Sequence, residues 1–153
     1  MNTETVLPSA DALQAWANSP DAARSNLPSI FSCLSAEESR AEWAAEALEN
    51  CGKPLETDIA FLAEATTTTE GDVAYWACKL LGRLGITAID SQSALCSVLL
   101  SEQTSAASRH QAAIALGVIG KLNAMSLEAL QKASESKDPR LVRLAIQSLD
   151  AAS

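Results

Sequence analysis

The side chains of this 153-residue chain that bear on chemistry are a single histidine, His110, four cysteines and a run of glutamates. Nucleophilic or acid–base catalysis needs a titratable group held within reach of a second one, and phosphate chemistry needs a glycine-rich cradle. With one His, one Tyr and scattered acids, no such pairing or cradle is present. No catalytic residue, no cofactor and no metal ligand is therefore assigned. The cysteines, Cys33, Cys51, Cys78 and Cys96, are separated by 18, 27 and 18 residues. That spacing matches no close-paired metal or redox motif, so they read as small buried apolar residues, with a disulfide or a metal site as the alternative.

Glu38, Glu42 and Glu46 follow one another four residues apart, with Glu49 close behind. On a helix they form one acidic ridge, in which each like-charged pair costs a few tenths of a kcal/mol (about 0.2–0.5). Such a ridge is either a solvated face or a docking surface for a basic segment. Trp43 and Trp76 read as a packing ladder, or else as a platform for a ligand or partner.

The net charge of −8 opposes nucleic-acid binding, which needs a basic face. Residues 1–70 carry twelve acidic and three basic side chains, whereas 71–153 carry seven and eight, so recognition of a basic partner belongs to the N-terminal half. No run approaches the length of a membrane span, and the first ten residues do not resemble a secretion signal, so no membrane association and a cytoplasmic location are expected.

The elements that position these residues repeat. Arg40 to Gly52, Val73 to Gly85 and Ser108 to Gly120 share one pattern: counting the first residue as zero, small residues stand at four and five, Leu at eight (Leu48, Leu81, Leu116) and Gly at twelve. A fourth copy starts at Leu141. Positions zero, four, seven, eight and eleven lie on one helical face, the small residues let helices approach closely, and the glycine ends each helix in a left-handed conformation. A shorter amphipathic run follows each glycine (Leu55 to Ala65, Ala88 to Leu100, Ala124 to Ala133), which makes each repeat a helical hairpin. Thr66 to Thr69 with Gly71 reads as a polar loop, and Asp138 with Pro139 starts the last helix. Upstream, Ala10 to Asn18 and Leu27 to Leu34 form an atypical first hairpin. The expected fold is all-α, a right-handed α-α superhelix of about four hairpins and roughly nine helices. A single domain, 1–153, is expected, with repeats near 9–35, 36–66, 70–101 and 105–136 and a terminal helix at 139–152.

The phrasing of Val73 to Gly85 and Ser108 to Gly120, with DPRLVR at Asp138 to Arg143, resembles the short HEAT repeats of phycobilisome lyases over about residues 27–152. The resemblance implies a repeat solenoid used for protein interaction, with a bilin lyase-like enzyme or accessory subunit as the alternative. His110 is followed by Gln111, which departs from the His-Glu pairs of HEAT-type di-iron hydroxylases. The acidic balance departs from the basic cradle of HEAT-like DNA glycosylases.

The functional expectation is a non-enzymatic scaffold that binds a protein or peptide, with a weak homodimer or small homo-oligomer as a further alternative. Outer positions two, six, nine and ten change from Glu42, Glu46, Glu49 and Asn50, through Tyr75, Lys79, Gly82 and Arg83, to His110, Ile114, Gly117 and Val118. His110 there reads as a solvated or packing residue. Ile114 and Val118 form an apolar patch that is either a contact surface, for a partner or for self-association, or is covered by the terminal segment or simply exposed. Thr57, Ser93, Ser97, Glu128 and Lys132, which face the groove of the second helices, form no ladder for an extended peptide.

Overall fold

A computed structural model describes residues 7–68 and 72–152. Thr69 and Gly71 of the expected polar loop, and Met1 to Val6 of the N-terminal stretch, lie outside the described residues. All regular structure among the described residues is helical: α1 (Ala10–Ala17), α2 (Pro20–Arg24), α3 (Leu27–Ser32), α4 (Glu38–Asn50), α5 (Ile59–Ala65), α6 (Val73–Leu84), α7 (Gln92–Leu100), α8 (Ala106–Ile119), α9 (Ala124–Ala133) and α10 (Pro139–Ala152). Short 3-10 segments, Glu56–Asp58 and Gly85–Ser91, lead into α5 and α7. No helix among these residues is long and apolar enough to cross a membrane.

The chain divides into two compact units, 1–52 and 53–153, with the boundary after Gly52. In the first, α1 packs along α4, and α2 and α3 pack against each other and on α4. Leu13, Ala23, Leu27, Ile30, Ala44 and Leu48 are fully buried there. The sequence pattern does not anticipate α2. Pro20 at its first position, where the missing N–H costs nothing, starts it, and the Arg24 guanidinium pairs with Asp21 and donates to the carbonyl of Cys51.

The second unit is built in two layers. The first helices α6, α8 and α10 pack side by side in order, as do the second helices α5, α7 and α9. Each second helix also lies against the first helix of the following hairpin: α5 on α6, α7 on α8, α9 on α10. Leu81, Leu116, Ala77, Cys78, Ala112 and Ala113 have no exposed surface, as the repeat register requires. Gly85 and Gly120 have φ of 57° and 77°, the positive φ expected where these helices end, but their ψ of −133° and −42° lie outside the left-handed helical region that the sequence predicts; both are backbone conformations that residues with a Cβ rarely adopt.

Glycine has a second use between the first helices. A Cβ on Gly82 would sit 3.4 Å from Ala115, in ordinary contact, but a Cβ on Gly117 would lie 2.5 Å from the hydroxyl of Ser148. That hydroxyl donates to the carbonyl of Ala113 at 2.6 Å, so α10 is bonded directly to the backbone of α8. Gly117 thus belongs to the α8–α10 contact and not to an outer face, correcting the sequence-based assignment.

A buried amide joins the second-helix layer to the turn after Gly120. Gln92, at the start of α7, donates through Nε2 to the carbonyls of Ile89 and Lys121. Its Oε1 accepts from the backbone N–H of Asn123 at 3.0 Å and from the Ser126 hydroxyl at 2.6 Å. Four hydrogen bonds saturate the side chain, which is why a polar group is tolerated at 4% exposure.

Candidate partner-binding surfaces

The acidic set lies on α4, in the first unit. Glu38, Glu42, Glu46 and Glu49 are all exposed, whereas Ala44, Ala47 and Leu48 of the same helix are buried. The apolar side of α4 is thus used in packing and its carboxylates face water. Glu46 accepts from Asn50 at a long 3.5 Å. Trp43 is half-buried in this unit, and Trp76 is buried in the other, where Tyr75 meets it edge-on at 5.3 Å and the Lys79 ammonium stands 4.9 Å from its ring centre. A cation over an indole face is held electrostatically, so this cluster is engaged within its own unit.

The second set, His110, Ile114 and Val118, lies along α8. Its three members differ in environment. Val118 is 55% exposed and Ile114 is half-buried. They separate two shallow furrows. One, of about 250 Å³, runs between α6 and α8 past Lys79, Gly82 and Gln111. The other, of about 210 Å³, runs between α8 and α10 past Gly117, Leu144 and Gln147. The terminal helix therefore covers one flank of the patch and leaves Val118 open.

His110 is turned away from solvent, with a side chain only 13% exposed and Nε2 at 2.6 Å from Oδ2 of Asp138. An ionised carboxylate only accepts, so Nε2 carries the proton. The other carboxylate oxygen, Oδ1, accepts from the backbone N–H groups of Arg140 and Leu141 and caps α10. The hydrogen bond from His110, followed by those backbone bonds, holds the Asp138 carboxyl below the usual carboxylate range. Of the two roles open to His110, packing is the one observed. The sequence marks Asp138 as a helix start but carries no local sign of this partner 28 residues away.

All four cysteines are buried. Desolvation pushes the Cys78 thiol up to about 12 and raises those of Cys33 and Cys96 as well, which suppresses thiolate chemistry. Cys96 donates to the Ser126 hydroxyl at 3.5 Å, beside Gln92. No group of His, Cys, Asp and Glu among the described residues is arranged to hold a metal ion.

Residues 59–150 match the family of HEAT repeats, more than half of the chain. The chain belongs to the HEAT-repeat family. Two crystal structures of engineered proteins from the Northeast Structural Genomics Consortium share the fold. Each is 20% identical over 94% of this HEAT-repeat chain at a TM-score of 0.59, the matched part covering 72% of one engineered chain and 43% of the other. No curated protein matches the sequence. The family describes a repeat scaffold, and its helical layers leave surface ridges and furrows as the places where recognition can occur.

Proposed function

We propose that this HEAT-repeat chain is a non-catalytic protein-interaction module whose acidic ridge, Glu38, Glu42, Glu46 and Glu49, docks a basic segment of a partner. The observation that carries this reading is the ridge itself. Four carboxylates are exposed on one helix whose Ala44, Ala47 and Leu48 are buried in packing. Carboxylates stacked at helical spacing repel one another, so they cost helix stability and favour a cationic partner. Replacing Glu42 and Glu46 with Gln tests it. Capture of a lysine- and arginine-rich peptide should weaken and lose its salt dependence, while circular dichroism stays helical. Binding unchanged in strength and salt response would leave the ridge as a solvated face.

A second reading rests on Val118, an exposed branched apolar side chain between two furrows. Under it, the Ile114–Val118 patch is a self-association surface. Ile114→Lys with Val118→Glu should then abolish a dimer seen by ultracentrifugation at high concentration without unfolding the chain. The non-catalytic reading is tested by titration with a linear tetrapyrrole, since a shifted absorbance spectrum would favour the alternative of a bilin lyase-like protein.

A further inference from the structure

A cleft of about 520 Å³ in the second unit belongs to neither candidate surface. Its walls come from the end of α7 and the loop after it (Leu100, Glu102), the first turns of α8 (Arg109), and the end of α9 with the turn that follows (Lys132, Glu135, Lys137). Three cations and two carboxylates thus share one concavity with an exposed leucine at its edge.

Arg109 is the unusual member. It is half-buried, and its Nε–H is fixed by the carbonyl of Leu99 at 2.9 Å, which leaves the two terminal amino groups to point onward from a held guanidinium. Among the described residues no carboxylate forms an ion pair with it, although Glu102 and Glu135 line the same cleft. A guanidinium removed from much of its water and held in one orientation is suited to a carboxylate, which it grips with two parallel hydrogen bonds. Helix stability does not explain the residue, because a cation in the first turns of α8 stands at the positive end of the helix dipole. Lys137 is likewise without an ion pair among the described residues, and Lys132 meets Glu128 only at 4.0 Å with both side chains mostly exposed. These lysines add positive potential on the side of the cleft formed by α9 and its following turn.

The two glutamates decide the class of ligand. A polyanion such as nucleic acid or a polyphosphate would be repelled by Glu102 and Glu135, whereas a ligand of mixed charge meets a partner for each sign. The volume admits a few residues of peptide. We infer that this cleft binds a short mixed-charge peptide segment of a partner protein, with an acidic side chain on Arg109 and a neighbouring basic side chain toward Glu102 and Glu135. The site is separate from the acidic ridge on α4 and does not depend on that ridge having a partner.

The test is a titration of the full chain, followed by backbone amide NMR, with a peptide of alternating glutamate and lysine. Oligoglutamate, oligolysine and inorganic phosphate serve as comparison probes. The expected result is saturable shifts confined to residues around Leu100–Arg109 and Lys132–Lys137, with the mixed peptide binding about tenfold more tightly than either homopolymer or phosphate. Arg109→Gln should remove those shifts. Because that change also loses the bond to Leu99, the double variant Lys132→Gln with Lys137→Gln, confined to exposed side chains, should weaken the same shifts several-fold in a chain of unchanged helicity. Absence of saturable shifts at millimolar peptide, shifts centred elsewhere, equal binding of oligoglutamate or phosphate, or indifference to both variants would overturn the assignment. Loss of ridge binding through Glu42→Gln and Glu46→Gln should leave this titration unchanged.

Discussion

His110 Nε2 lies 2.6 Å from Oδ2 of Asp138, so a residue on the side of α8 is bonded to the residue that caps α10. One carboxylate serves both purposes. It closes two backbone N–H groups of α10 with one oxygen and binds the imidazole with the other.

Asp138 should make stability depend on pH. Its carboxyl is held below the usual range chiefly by the His110 hydrogen bond, so its contribution is present above the unfolded value and is lost as pH falls through the lower folded value. Asp138→Asn should therefore destabilise the chain at neutral pH, and the gap to the parent should narrow as the pH is taken below the usual carboxylate range. Urea melts across that range give the answer, and a gap that persists at the lowest pH would remove the carboxylate's charge from the account.

Gly117→Ala should loosen α10 more than Gly82→Ala loosens α6 from α8. The added methyl would overlap the Ser148 hydroxyl at the first position and only touch Ala115 at the second. Overpacking of this kind costs about 1–3 kcal/mol. Limited proteolysis in the turn before Pro139 reads the release of α10, and equal susceptibility of the two variants would contradict the packing described.

Leu116→Ala should cost about 2–5 kcal/mol, because Leu116 is fully buried and the cavity left behind lies between helix layers that relax only in part. A chemical melt measures it. A loss under about 1 kcal/mol would contradict this burial.

The first helices α6, α8 and α10 are legible because they share one register, whereas the expected runs Leu55 to Ala65 and Ala88 to Leu100 are 3-10 in their first part and α-helical only from Ile59 and Gln92. The predicted second helix Ala124 to Ala133 is α9 residue for residue, and the expected start at Asp138 and Pro139 is the start of α10. What escaped were contacts between residues about thirty apart. A glycine at repeat position nine looks like an outer-face residue until the helix beside it supplies Ser148, and His110 reads as either solvated or packed until Asp138 is placed against it. Gln92 gives a fainter sign, as a polar residue at the head of an apolar run, but its partners Lys121, Asn123 and Ser126 follow from no local rule. In the first unit the pattern is weaker, and α2 was missed because its five residues are too few to show a helical period. The acidic ridge was legible as a ridge because exposure of Glu38, Glu42, Glu46 and Glu49 follows from the buried Ala44, Ala47 and Leu48. The Arg109 cleft was not, because it is assembled from three separate stretches of chain.

The Gln92 amide has a consequence for the order in which the chain comes apart. A stack of hairpins held only by neighbour contacts can open one hairpin at a time, from an edge inward. Gln92 is bonded at once to the 3-10 turn before α7, to the chain just beyond Gly120 and to the first turn of α9. Opening either hairpin alone would strand buried donors and acceptors of the other, so α7, α9 and the turn between α8 and α9 should exchange their amide hydrogens as one cooperative block, slower than α10 beside it.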